Sequence, residues 1–464
     1  MMKLLQKLCV GLILFPAAFL WSQVDSTPSQ PAGADSADSG SNSPDSNGGR
    51  MLTPPPVSGQ SYPTSLASEQ RSNYLRWGLS FIGAYTDNAL GSVSGKPVSD
   101  ISYSAAPFVA LDEATSRLHW VLTYSPGYTF YQRESSRNEA DQNASIDLQY
   151  RLSPHVTFSA RDGFQKSSNV FNQPDLADAA AVSGGIQEPN VSVIAPIADR
   201  LGNSGNVGFN YQFAANGMLG ASGTFSNLHY PNKAEVPGLF DSNSQGGSVF
   251  YSLRASKMHY FGATYQYQRL VSNPTVGQNE TQTHALLLFY TLYATSRLSL
   301  SLFGGPQHSD TLQPAVPPLQ LQPLEARAWT PAAGGSVSWQ GRVTNLALSY
   351  SHIIAGGGGL SGAVKMDSAN TSIRQQITRS LSGSLAGMYT QNDILGSALA
   401  GGSNGHTVSG TASLQQGLTQ QVMLQLGYTR LHEDYSSVAV LAATPNTNRE
   451  FVSISYQFSR PLGR

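Results

Sequence analysis

In 464 residues the chain has a single cysteine, Cys9, and it falls at the start of an apolar stretch near the N-terminus. A fold that depends on disulfides is excluded, and so is a thiolate metal centre. Charge is nearly as scarce. Asp, Glu, Lys and Arg make up 12% of residues, against about 25% in an ordinary soluble domain. Mean hydropathy is still slightly negative, at -0.21, because Ser, Thr, Asn, Gln and Gly stand where charges would. A net charge of -1 gives no field for a polyanion, and no nucleic-acid module is recognisable. Long apolar runs are also missing. Beyond Leu20 nothing approaches the roughly 20 residues that a spanning helix needs, so any crossing of a membrane has to be made by strands. Signatures of chemistry are absent too: no His-Glu-x-x-His pair occurs among nine histidines, and no glycine loop leads into Lys-Ser or Lys-Thr. The run Gly356 to Gly359 reads as a flexible loop tip, not a phosphate cradle. Neither a cofactor nor an enzymatic activity is expected.

What is present divides into three parts. Met1 to Lys7 is basic and Leu8 to Leu20 apolar, with Pro16 within it. This is the layout of a secretory signal peptide over residues 1–22, its core too short to anchor a membrane. Residues 23–70 are rich in Ser, Pro, Asp and Gly and include Pro54-Pro55-Pro56. Such a segment buries too little apolar surface to fold and reads as a disordered periplasmic linker.

Residues 71–464 alternate. Met423 excepted, Val422 to Thr429 places apolar or aromatic residues at even positions and polar or small ones at odd positions. Ile146, Leu148 and Tyr150 oppose Ser145, Asp147 and Gln149; Leu346, Leu348 and Tyr350 oppose Asn345, Ala347 and Ser349; Phe261, Ala263, Tyr265 and Tyr267 oppose Gly262, Thr264, Gln266 and Gln268. Successive side chains of a strand point to opposite faces, so each segment has one greasy and one wet side. Connections alternate as well. Tight turns at Ser153-Pro154, Ala215-Asn216-Gly217, Ser256-Lys257, Ala294-Thr295-Ser296, Gln340-Gly341 and Thr378-Arg379 separate longer loops near 87–99, 166–204, 231–245, 271–281, 308–327, 355–365, 392–405 and 433–447. The pattern predicts an all-β, transmembrane antiparallel barrel of about 18 strands, with short periplasmic turns and long extracellular loops. If the two weakest segments, 101–111 and 366–377, are irregular, the count falls to about 16. Tyr85, Tyr128, Tyr267, Tyr350, Tyr389 and Tyr428 fall on the greasy face near the outer ends of upward strands, and Trp77, Trp120 and Trp339 near the other ends. Amphipathic rings collect at the two membrane interfaces.

The chain closes on Phe451 to Phe458, with Val452, Ile454, Tyr456 and Phe458 on one face. This resembles the final strand of bacterial outer-membrane β-barrel proteins, and the chain from about Tyr74 onward looks porin-like. In that family the last strand ends in an aromatic residue. Here Ser459 to Arg464 follow Phe458. The resemblance implies export to the cell outer membrane of a diderm bacterium, contact with lipid and lipopolysaccharide, and recognition by the barrel-assembly machinery through the strand ending at Phe458. Homotrimers are usual among porins, although no residue pattern marks a subunit interface. With this strand so near the last residue, no peptidoglycan-binding domain is expected after it.

A barrel of this size encloses an aqueous channel, whereas one of about 8 strands fills with side chains. Passive diffusion of small hydrophilic solutes is the expected function. By the same resemblance, the loop between the fifth and sixth segments folds inward and narrows the pore. It carries Asp175, Asp178, Glu188 and Asp199, while Arg76, Arg151, Arg161, Arg254 and Arg374, with Asp147, fall on the wet face of their segments. Carboxylates opposite arginines would set up a transverse field that sorts solutes by charge. The alternatives are a plugged or structural barrel acting in adhesion, a polysaccharide exporter, and an outer-membrane hydrolase. For the hydrolase, His352 should face lipid while Ser349 and Ser351 face the lumen, a separation unfavourable to a triad.

Overall fold

The computed structural model describes residues 73–89, 96–169, 171, 197–233, 238–274, 277–315, 322–395, 404–435 and 445–462. The signal-peptide and linker readings lie outside them. The first nine strands are β1 Tyr74–Thr86, β2 Asp100–Ala114, β3 Leu118–Tyr131, β4 Glu139–Ser153, β5 Val156–Asn169, β6 Ile197–Ala214, β7 Gly217–His229, β8 Asp241–Arg254 and β9 His259–Asn273. The other nine are β10 Asn279–Thr295, β11 Leu298–Gln313, β12 Leu324–Gln340, β13 Thr344–Gly356, β14 Ala363–Gln376, β15 Leu381–Ile394, β16 Gly405–Gly417, β17 Val422–Tyr435 and β18 Asn446–Pro461. Each pairs antiparallel with the next, and β18 pairs with β1, so the sheet closes with 18 strands. Both weak segments, within β2 and β14, are strands. The connection 132–138, which holds a 3-10 turn at Ser135–Arg137, has no counterpart in the alternation read from sequence. β5 runs to Asn169 and β6 starts at Ile197, which shortens the loop expected at 166–204.

Exposure follows the pleat. Phe81, Tyr128, Leu288, Leu348, Leu385 and Val452 are exposed on the outer face. Their neighbours in sequence, such as Ser80, Thr129, Leu287 and Ser453, are buried inside. An apolar belt of this kind on a soluble protein would be an aggregation surface. On a closed sheet with no free edge it is a surface for lipid. The inner face is tied by hydroxyl pairs across strands: Thr123 to Ser145 at 2.6 Å, Ser104 to Thr129 at 2.8 Å, Ser384 to Ser413 at 2.7 Å, and Thr411 to Thr429 at 3.1 Å.

Five inward phenylalanines lie over the glycine directly opposite: Phe108 on Gly78, Phe250 on Gly220, Phe289 on Gly262, Phe303 on Gly334 and Phe451 on Gly427. A Cβ at any of these glycines would collide with the ring.

One seam is incomplete. β12 and β13 pair only as far as Ala333 opposite His352, although β12 stays on β11 up to Leu324. Gln340 donates its N–H to the Arg297 carbonyl and Gly341 donates to Thr344, so the odd-numbered residues of β12 direct their backbone toward β13. Pro331, which has no N–H, therefore falls where β13 has already left. That is where an edge tolerates proline.

Candidate functional site

The enclosed space has two halves of different character. At the short-turn end, the wall of β1 to β5 carries a charged cluster. Arg76 Nη2 meets Asp112 Oδ2 at 3.4 Å, and His119 Nε2 lies 3.1 Å from Asp112 Oδ1. Asp147 stands opposite Arg161 in the β4–β5 register and opposite Val121 on β3. The structure thus brings Arg76, Asp147 and Arg161 onto one wall and adds Asp112 and His119. Alternation along Asp100–Ala114 would have found Asp112, had that segment been taken as a secure strand. The remaining arginines are elsewhere. Arg374 donates from β14 to Gln415 Oε1 on β16 at 3.1 Å. Arg254 donates to the Ala215 carbonyl at 3.3 Å, beside a turn. Arg151, half-buried, stands opposite Thr157 at the foot of β4.

Of the four carboxylates placed on the constriction loop, Asp175, Asp178 and Glu188 lie outside the described residues. Asp199 falls within β6 and accepts a bond from Asn232 Nδ2 at 3.3 Å, among the connections at the rim.

At the long-loop end, side chains from distant strands meet across the lumen. Phe171, just beyond β5, packs on Leu431 of β17, and its ring lies 4.7 Å from the Arg449 guanidinium of β18. Asn169 fixes this corner: its Nδ2 donates to Tyr131 Oη at 2.8 Å, and its Oδ1 accepts the Phe171 N–H at 3.0 Å. Freed from β12, the top of β13 turns inward with β14. Ile354 donates its N–H to Gln307 Oε1 at 3.2 Å and packs with Leu270, Ala363 and Leu395. Ile353 packs on Ala285, Leu287 and Ala332.

The tip of this hairpin reaches Tyr230, which follows β7. Tyr230 Oη donates to the Gly358 carbonyl at 3.2 Å, and Phe240 N–H donates to the Gly359 carbonyl at 2.7 Å. Asn279 Nδ2 also donates to the Ser361 carbonyl. Tyr230, Leu239, Leu360, Val364 and Tyr435 form a fully buried apolar cluster. The glycine run is therefore a packed tip, not a free one. Gly358 and Gly359 have φ of 61° and 112°, a region that L side chains avoid, and a Cβ on Gly359 would strike the Tyr230 ring. Burial pushes the Tyr230 phenol up to about 12, and Arg200 beside it pulls the other way.

Charge is present at this end too, but buried. Arg449 and Glu433 are among the most buried side chains of the protein, and Arg200 is 7% exposed. The reading from sequence did not include them. Carrying the alternation of the last strand back from Phe451 would have placed Arg449 inside.

On the outer face, His352 Nδ1 lies 2.8 Å from Asp367 Oδ1, and Tyr350 Oη donates to the same oxygen at 2.6 Å. Ser351 is inside, bonded to Ser368 at 2.8 Å. The histidine and the serine occupy opposite faces of the wall, as alternation requires. Among the described residues no cluster of His, Cys, Asp and Glu could hold a metal ion.

No family model and no curated protein matches the chain. Solved structures resemble its fold. The ferric citrate transporter FecA in its unliganded form aligns at 9% identity over 83% of this chain and 79% of its own, with a TM-score of 0.43. OccAB4 of Acinetobacter baumannii aligns at 11% identity over 84% and 99%, with a TM-score of 0.40. The outer membrane protein opdK of Pseudomonas aeruginosa aligns at 8% identity over 83% and 99%, with a TM-score of 0.39.

Proposed function

We propose that the protein is a bacterial outer-membrane channel for small hydrophilic solutes, with passage controlled at its long-loop end. The observation that carries this reading is the contrast between the two faces of one wall. The outside is apolar, while the inside of an 18-stranded cylinder is lined with hydroxyl, amide and ionised groups. A cylinder of that girth is wide enough for water unless something is folded into it, and here loop-end segments are. The short turns face the periplasm and the long-loop end faces outward. Export through a cleaved signal peptide, and assembly guided by the strand ending at Phe458, belong to the same reading. That strand closes the barrel, with Phe458 opposite Trp77 and their rings 5.6 Å apart.

Selectivity is set between the Arg161 wall and Arg374. In planar bilayers the purified protein is expected to open in discrete, brief steps, because the mouth is packed. Reversal of both Arg161 and Arg374 to Glu should move the preference toward cations. An unchanged permeability ratio would remove these arginines from selectivity, and silence even after the mouth is loosened would end the channel reading.

A further inference from the structure

β12 and β13 part company near the loop end. β12 stays on β11 up to Leu324, but it pairs with β13 only as far as Ala333 opposite His352. Above that point the backbone of Pro331, Trp329, Arg327 and Glu325 faces the side that β13 has left. Among the described residues no strand pairs with this edge. Trp329, which it carries, is 72% exposed. A bare edge is a seat for a strand. An extended peptide from another protein would meet Glu325, Arg327 and a proline there, the devices by which edges turn foreign strands away. The segment that fits is the chain's own. Carried upward from Ala333 and His352, the register sets Pro331 opposite Ile354 and Trp329 opposite Gly356.

In the structure a side chain stands in for that edge. Ile354 N–H, which a continued ladder would give to the Pro331 carbonyl, donates instead to Gln307 Oε1 of β11 at 3.2 Å. Ile353 packs on Ala285, Leu287 and Ala332, so β13 laps behind β12. β14 goes with it, remaining on β13 up to Ala363 opposite Gly356. We infer that the free edge of β12 is a second seat for residues 353–356, and that the mouth opens when the top of β13 leaves Gln307 and zips onto it. The parity fits. On the edge, Ile354 continues the outward face of Tyr350 and His352 beside the exposed Trp329, while Ile353 and Ala355 face inward. Zipping forms main-chain bonds at Ile354, Trp329 and Gly356 and forgoes the one that Pro331 cannot give. Lapping keeps the packing of Ile353 and Ile354 and the bonds of the tip to Tyr230, Phe240 and Asn279. Two packings that exchange contacts in this way form a bistable element. The inference rests on the channel reading above and gives it its moving part.

The test uses the full chain with Cys9→Ser as background, in outer-membrane fractions and then in planar bilayers. On the zipped edge Thr330 falls opposite Ala355, a pair without main-chain bonds between its members and close enough for a disulfide. Thr330→Cys with Ala355→Cys should bridge under mild oxidation, read as joined peptides by mass spectrometry. Ala326→Cys with Ala355→Cys, out of register, should not. The bridged channel should stay open several-fold longer, and reductant should reverse this. Without oxidation, Pro331→Ala, which restores the N–H, and Gln307→Ala, which removes the stand-in, should each lengthen openings a few-fold. No bridge at the matched pair, equal bridging at both pairs, a bridge that leaves open time unchanged, or indifference to both single substitutions would overturn the inference. A bridge confined to the matched pair in a protein that is silent in every form would support the second seat and sink the channel reading beneath it.

Discussion

The two halves of the lumen are built from the same strands and do opposite things with polar groups. Toward the short turns, charged side chains keep some contact with open space: Arg76 is 14% and His119 19% exposed, both gathered on Asp112. Toward the long loops the charges are packed under apolar residues, with Arg449 beneath Phe171 and Arg200 beside Tyr230. Charge in open space can act on a passing solute, whereas charge under a plug acts only when the plug moves. In the proposed channel, this difference would give conduction to one half and control to the other.

The strongest way to break that contrast is to remove the plug. Replacing 357–362 with a two-residue Asn-Gly turn takes away the Gly358 and Gly359 carbonyls and Leu360. Conductance and open time should both rise several-fold in bilayers. An unchanged conductance would place the barrier elsewhere. Next in size is Tyr230→Ala. Emptying a buried aromatic site costs about 3–5 kcal/mol in a packed core, so the hairpin should lose protection, seen as faster hydrogen exchange at its tip.

Tyr230 also gives the mouth an alkaline limit. Its phenol titrates near 12 when buried and at the ordinary 10.0 when released. Its contribution is therefore complete below pH 10 and is lost as pH climbs toward 12, because only the released form ionises in that window. Openings that multiply over this range in the wild type, and less in Tyr230→Phe, would sharpen the assignment. The smallest effect belongs to the other half. Asp112→Asn removes the anion between Arg76 and His119 and should tilt selectivity modestly toward anions, with the magnitude shrinking as salt rises.

Much of the barrel was legible because alternation and turn spacing are local, and a lipid-facing wall repeats them from strand to strand. The closed sheet, the inward position of Asp147 and Arg161, and the outward position of His352 away from Ser351 all follow from a period of two. The mouth was not legible. Nothing in Tyr230 or in the run from Gly356 to Gly359 says that they meet, since β7 and β13 lie far apart in the sheet and their contact depends on where β13 leaves β12. Pro331 was the local sign of that departure, and its meaning depends on which side of β12 its missing N–H faces. Nor could arginines be sorted by alternation alone. Arg254 and Arg161 both follow the inward pattern, but Arg254 lies beside a turn and Arg161 lies further up the wall.

The phenylalanines seated on glycines have a consequence for assembly. A hairpin slipped by two residues keeps its greasy and wet faces, so lipid alone would not reject it. The rings would. Such a slip moves Phe303 from Gly334 onto Ala332 or Ser336, and Phe451 from Gly427 onto Gln425 or Thr429, where a Cβ occupies the seat. Each pair thus favours the register in which a ring faces a glycine over slipped pairings that hydrophobicity alone would accept.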